Sequence, residues 1–329
     1  MTGTHTDASL FRRLAGRREY GVLMLLIVII AGVSMVNPAF LAGGNIRDML
    51  VRCAPAIIVA CGMTLVIVTG EIDISVGSLM GLLAALMGIL TSPDRMGGPV
   101  WFGIAATLGA GAACGFVNGL LVTVGRVPSI IVTLGMLTAL RGVTELLMRG
   151  EWIENLPPGL RFLGTGAVLG VPVCVATALV IVALSIVLAR QTPLGRRVYA
   201  VGSNPRSAVL AGISPRQIKI IVFTLTGFLT ALATLVSVTQ LSVIESGVGV
   251  GFELLVVTCV VVGGTSISGG RGNVVGSLLG VLLMSTVGTV LIFLRLGEQS
   301  TYWERAIQGA FILLAVLVDH VARGRERPA

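Results

Sequence analysis

The chain has 329 residues, of which 55% are hydrophobic and only 12% charged, with a mean hydropathy of +0.98. Soluble domains carry about 25% charged residues, so this composition excludes a water-soluble globular protein and points to a surface that faces lipid. The formal net charge of +8 does not indicate nucleic-acid binding, because the basic residues sit in short segments between apolar runs and all but Lys219 are arginine. The 44 glycines follow no collagen-like period and suit helices that pack closely in a bilayer.

A membrane-spanning helix needs about 20 mainly apolar residues. In chain order the sequence predicts about ten: 20–36, 50–69, 72–90, 100–122, 127–148, 171–189, 218–241, 252–267, 274–294 and 303–321. The third follows its predecessor through only Gly70 and Glu71 and opens with Asp73 and Ser75. A broken or re-entrant helix near 70–80 is therefore an alternative to a simple span, because irregular backbone is tolerated at membrane depth where it lines a cavity. The short eighth span ends in a glycine-rich turn and is open to the same reading.

The first apolar run resembles a signal peptide, but Asn37-Pro38-Ala39-Phe40 is not a clear cleavage site and many spans follow, so an uncleaved helix is expected. Alternating ten spans from a cytoplasmic N-terminus keeps Arg12, Arg13, Arg17, Arg18, Arg126, the 190–219 segment, Arg271 and the C-terminal arginines inside. That is the larger share of the basic residues, so the bias predicts both ends inside. The expected organisation is a single transmembrane domain over 1–329, with an N-terminal tail 1–19, a cytoplasmic segment 190–218 and a C-terminal tail 322–329.

Two glycine series repeat every four residues, Gly111-Gly115-Gly119 and Gly272-Gly276-Gly280, and Gly77 pairs with Gly81; static close helix packing is the expected role. The run Val66–Ser75 echoes Val261–Ser268, each ending an apolar stretch before a Gly/Ser-rich helix start, and transporters often contain internal repeats. Cys53, Cys61, Cys114, Cys174 and Cys259 lie in or beside apolar runs without a CxxC pair and read as reduced thiols in membrane helices.

No P-loop is present, since that motif needs Gly-Lys-Ser/Thr and the single lysine follows Gln217-Ile218. With His5 and His320 near opposite ends, no His-based triad or zinc site can be built, and the chain is expected not to be an enzyme, to carry no metal and to bind no cofactor itself. Charged and polar groups in or beside spans draw attention because burying them is costly. Glu71, Asp73, Ser75, Asn118 and Thr133 are assigned to a solute path, Asp73 being also placed to cap the helix that follows. Arg141 and Glu145, four apart, are expected to pair, and Glu245 and Glu253 bracket a glycine-rich outer turn. In the basic 190–219 segment, Asn204 as cap, Pro205 at the first position and Gly212 as terminator predict a short helix over 205–211 that docks into a cytoplasmic protein.

Several motifs together carry a resemblance. Gly70-Glu71-Ile72-Asp73-Ile74-Ser75-Val76-Gly77-Ser78 resembles the Gly-Gly-Ile-Asp-Leu-Ser-Val-Gly-Ser signature of the ribose-type permeases of ATP-binding-cassette importers. The stretches 127–135 and 195–213, and Gly263-Gly264-Thr265-Ser266 with Gly269-Gly270-Arg271-Gly272, are similar to further segments of that family in its order. Glu71 stands where the family has glycine, and Ser203-Asn204 where Gly-Asn is usual.

The resemblance implies a permease that dimerises, as identical or paired subunits, around a central path for a monosaccharide or similar small polyol in the bacterial inner membrane. It implies a periplasmic or lipid-anchored sugar-binding protein as the donor and a cytoplasmic double-cassette ATPase, which uses the ATP and Mg. The helix near 205–211 would be the coupling helix, with Gly195, Arg196, Tyr199, Gly202, Asn204, Ala208 and Gly212 as the ATPase-coupling residues. The rival reading is an ion-coupled secondary transporter, which needs titratable groups near mid-membrane; most carboxylates here lie at span ends.

Overall fold

The computed structural model describes residues 18–294 and 299–324, and among them the chain is almost wholly helical. Thirteen α-helices follow in order: α1 (Arg18–Val36), α2 (Gly43–Val68), α3 (Val76–Thr91), α4 (Val100–Thr123), α5 (Ser129–Met148), α6 (Pro158–Thr165), α7 (Val173–Gln191), α8 (Pro193–Ser203), α9 (Pro205–Leu210), α10 (Pro215–Val238), α11 (Phe252–Val262), α12 (Val274–Phe293) and α13 (Gln299–Gly324). A two-residue hairpin, β1 (Ala167–Val168) with β2 (Val171–Pro172), leads into α7. The tail 1–17, with His5 and its arginines, lies outside the described residues, as do Arg295, Arg325 and Arg327.

Among the described residues, seven helices are long and apolar enough to cross a membrane: α1, α2, α4, α5, α7, α10 and α12. The expected third and eighth spans are shorter than drawn from the sequence. α3 starts only at Val76, and α11 has 11 residues and stops at Val262. At 1.5 Å per residue α11 is about 16 Å long, about half the hydrocarbon thickness. In both places the helix gives way to non-helical backbone with left-handed glycines, Gly70 in one and Gly264, Gly269 and Gly270 in the other. A non-helical stretch thus separates α2 from α3 at 69–75, and a second separates α11 from α12 at 263–273.

α2 is the central post. All of 53–68 is buried, enclosed by α10, α12, α7 and α11, whereas α1 and α5 are mostly exposed. The glycine series explain how the backbones approach so closely. A Cβ on Gly111 would lie 2.6 Å from both the Ala231 Cβ and the Gly227 carbonyl, and Gly115 and Gly119 meet Phe223 and Ile220 in the same seam of α4 against α10. Gly276 and Gly280 abut the carbonyls of Gly263 and Cys259 between α12 and α11; Gly272 precedes α12 and packs on Thr265 and Val68 instead. Overpacking typically costs about 1–3 kcal/mol, and here backbone is the obstacle. Gly115→Val is therefore expected to lower the midpoint of detergent-solubilised thermal unfolding by several degrees, while Gly109→Val, with open space around it, leaves it unchanged.

Most buried hydroxyls are satisfied within their own helix. Thr226, Thr230 and Thr234 each donate to the carbonyl four residues earlier at 2.8 Å. All five cysteines are free thiols, four of them buried.

The loops gather in two groups. At one end Ile153 and Ile244 form an antiparallel bridge, the Ser92 hydroxyl donates to Glu154 O at 2.8 Å, and Arg95 pairs with Glu151 at 2.7 Å. At the other end Gly270 N donates to Val68 O at 2.8 Å, and Gly202 packs on the same Val68 carbonyl.

Candidate translocation and coupling sites

The non-helical stretch after α2 is held by a network of buried polar groups. The Asp73 carboxylate, 2% exposed, accepts from Ser75 N at 2.9 Å and Ser75 Oγ at 2.6 Å. From α4, Asn118 Nδ2 donates to Ser75 Oγ at 2.9 Å and, at 3.5 Å, to Asp73 Oδ2. From α5, Ser129 Oγ accepts from Ile72 N at 3.2 Å, and Thr133 donates to Ser129 O at 2.8 Å and Ile72 O at 3.4 Å. Asp73, Ser75, Asn118 and Thr133 are thus brought together around one segment, and Asn118 Oδ1 is left buried without a partner.

Asp73 does not cap α3. Ser75 is the N-cap residue and makes no side-chain capping bond; Asp73 instead closes a tight turn onto Ser75, because the chain reverses there before the helix begins. Glu71 points elsewhere, forming an ion pair with Lys219 in the first turns of α10. The only lysine in the chain thereby ties the broken segment to the helix that follows α9.

Arg141 is not paired with Glu145. Its guanidinium reaches from α5 to the loop before α11, donating to Ser246 O at 2.5 Å and Val248 O at 3.0 Å, since two fixed carbonyls satisfy it better than an exposed carboxylate on its own helix. The same loop presses Gly249 against Gly77 and Val248 over Gly81, with Glu253 from the first turn of α11 over Gly77 and Arg141 of α5 beside Gly81, so these α3 glycines admit the loop and the side chains that flank it. Removing the clasp leaves two carbonyls unsatisfied, at about 1–3 kcal/mol each when buried. Arg141→Met is expected to raise the rate of protease or thiol-reagent access at 245–251 severalfold, with Arg141→Lys intermediate.

The 190–214 segment holds two short helices, each with its own side-chain cap. Thr192 caps α8 through Gly195 N at 3.2 Å, and Asn204 caps α9 through Ser207 N at 3.1 Å. Gly212, at φ +74°, ends the second. α9 covers Pro205–Leu210, one residue short of the expected 205–211. One face looks inward: Gly195 and Ala208 are buried, Gly202 packs on the Val68 carbonyl and the Gly270 amide, and Tyr199 Oη donates to Gly272 O at 2.8 Å. Burial pushes the Tyr199 phenol above its usual range, with Arg190 opposing, which keeps the hydroxyl a donor. The outward face carries Arg196, Arg197, Asn204, Arg206, Val209 and Leu210, with Leu210 90% exposed.

Sequence reasoning missed the Arg141 clasp and the Glu71–Lys219 pair. The second had a signal, a unique lysine and an acid at a position where the resembling signature has glycine. The first had none, because Arg141 and Ser246 are over a hundred positions apart.

Residues 45–316 match the family described as "Branched-chain amino acid transport system / permease component". The chain belongs to this permease family. The permease is 37% identical over 92% of its length to the ribose import permease protein of Haemophilus influenzae (93% of that protein), and 38% identical over 92% to that of Escherichia coli K12 (94% of that protein). It is 33% identical over 93% to the autoinducer 2 import system permease protein of Escherichia coli K12 strain DH10B, covering 87% of it. No solved structure matches the permease. Members of the family are transport subunits of importers and not enzymes, and the seven long apolar helices agree with a membrane protein.

Proposed function

We propose that this permease forms the path of an ATP-driven importer for ribose or a similar small neutral polyol, as a single transmembrane domain over 1–329 of the bacterial inner membrane. Its partners are a second permease copy, identical or paired, a cytoplasmic double-cassette ATPase that uses the ATP and Mg, and a periplasmic or lipid-anchored sugar-binding protein. The permease itself binds no cofactor or metal.

The observation that carries this reading is the α8–α9 platform. Its inner face is locked to the ends of α2 and α11–α12, while an aliphatic pair, Val209 and Leu210, is exposed on α9 and Arg196, Arg197 and Arg206 are exposed on the same two helices. An exposed apolar anchor on a basic segment suits a groove on a partner protein. Gly195, Gly202 and Ala208 fix the platform from within; Arg196, Asn204 and Gly212 shape its outer side, and Tyr199 bolts it to Gly272. Closure of the cassettes pushes α9, and the push passes through α10 and Lys219 to Glu71 and the 70–75 segment, where Asp73, Ser75, Asn118 and Thr133 hold the wall of the path.

The grouping of the loops supports ten crossings with both termini inside. The loops that alternation assigns to the cytoplasm (69–75, 192–214 and 263–273) contact one another, and so do those assigned outside (92–99, 149–157 and 239–251). On this reading α3 and α11 cross with the help of their non-helical neighbours, which find partners inside the protein.

The test is uptake of radiolabelled ribose into proteoliposomes holding the permease, its ATPase and its binding protein. Uptake is expected to require internal or external ATP on the cassette side. Uptake that persists without ATP and collapses with an ion gradient would overturn the reading in favour of ion coupling.

A further inference from the structure

The hairpin between α6 and α7 breaks two rules at one residue. β1 and β2 pair Ala167 with Pro172 and Val168 with Val171, leaving Leu169 and Gly170 as a two-residue turn. Both have positive φ, +51° and +81°, a geometry that selects Asn-Gly or Asp-Gly in water-facing hairpins, because the Cβ of leucine crowds the following carbonyl there. Leu169 is also 99% exposed, with Val168 at 54% and Val171 at 42%, and a Cβ on Gly170 would meet nothing within 4 Å. The chain thus holds three aliphatic side chains clear of its own surface, one of them on strained backbone.

The depth of the hairpin follows from the helix it feeds. α7 runs from Val173 to Gln191, 19 residues, or about 28 Å, which matches the hydrocarbon thickness of about 30 Å. Arg190 in its last turn marks one boundary of the bilayer, so Val173 lies at the other and the hairpin begins in the interfacial layer. One face of α7 is buried at Cys174, Ala178, Val182 and Ser185, whereas Leu179, Val180, Leu184 and Val187 are exposed and face lipid. On the other side of the hairpin α6 is pinned to the end of α10, with Leu160 buried and Gly164 packed on Thr239 and Gln240. Its outward residues are Arg161 and Phe162.

We propose that the 167–172 hairpin is a lipid-inserted anchor, with Leu169, flanked by Val168 and Val171, at the boundary between headgroups and acyl chains of the leaflet where α7 begins. Apolar side chains gain from leaving water at that boundary, which accounts for leucine where a solvated turn would carry asparagine. Arg161 complements the anionic headgroups above it, and Phe162 suits the same layer. A soluble protein that docks and departs would leave the three aliphatics in water between encounters, whereas lipid covers them throughout. The anchor fixes the junction of α6 and α7 against the membrane surface, and on the import reading that surface is the outer leaflet.

The experiment uses the full permease–ATPase complex in nanodiscs of phosphatidylcholine and phosphatidylglycerol, with the native cysteines replaced and a nitroxide attached through Leu169→Cys. Oxygen, which concentrates in lipid, is expected to relax this label at least threefold more effectively than a water-soluble nickel chelate. A label at Leu184→Cys serves as the lipid reference and one at Glu154→Cys as the water reference. With the label moved to Val171→Cys, adding Leu169→Asn is expected to lower the oxygen-to-nickel ratio at least twofold. A label at 169 that responds mainly to nickel overturns the anchor. So does shielding from both reagents that appears only when the sugar-binding protein is added, which would make the hairpin a protein contact. Strong dipolar broadening between the labels of two permease copies would overturn it as well. The ratio is read without transport, so a complex that fails to import ribose counts against the import reading and leaves the anchor to be decided by depth.

Discussion

Leu210→Glu is expected to abolish ATP-dependent uptake while leaving the membrane domain folded. Leu210 is 90% exposed and Val209 57%, so neither contributes core packing, and surface substitutions of this kind change stability by within about 0.5 kcal/mol. At a partner interface the same side chain would be an anchor, whose loss costs about 2–4 kcal/mol of binding, or roughly 30- to 1,000-fold in ATPase affinity. Co-purification of the ATPase and ribose uptake are the readouts, with size-exclusion behaviour and unfolding temperature as the folding control. Normal uptake by this variant would remove α9 from the coupling route. Gly202→Leu is a poorer probe, because its side chain would collide with Val68 O and Gly270 N and disturb the fold.

The second large effect concerns Glu71 and Lys219. Both side chains are largely buried, at 14% and 21% exposure. Removing one partner of a fully buried pair costs about 3–5 kcal/mol because a charge is stranded; residual solvent contact here lowers the expectation to about 2 kcal/mol. Lys219→Met is therefore expected to lower thermal stability and uptake together. Adding Glu71→Gly removes the stranded carboxylate and restores most of the stability, since glycine is the residue of the resembling signature. Uptake that stays low in the double variant assigns the pair to coupling. Stability that stays low as well would falsify the account of Glu71 as a stranded charge.

The helices were legible from composition and run length, and so was the break near 70–80, because Gly70, Asp73 and Ser75 cannot continue an apolar helix without leaving polar groups unsatisfied. The caps of the 190–214 segment were also readable, since Asn204, Pro205 and Gly212 act on their own backbone. What was not readable depends on partners far along the chain. Residues 252–267 read as one oily run, whereas the helix stops at Val262 and the Gly263 backbone packs on Gly276. Asp73 was expected to cap α3 and closes onto Ser75 instead, a distinction set by a turn geometry that spacing does not encode. Arg141 and Glu145 had the spacing of a pair, but the carbonyls of Ser246 and Val248 intervened.

The contact of Gly202 with the Val68 carbonyl and the Gly270 amide has a mechanical consequence. Backbone meets backbone there with no side chain between, so the joint has no rotamers to absorb a displacement and behaves as a stiff bearing. Strain applied beneath it reaches the foot of α2 undiminished, and the amides of Val68 and Gly270 should rank among the slowest in the chain to exchange with deuterium.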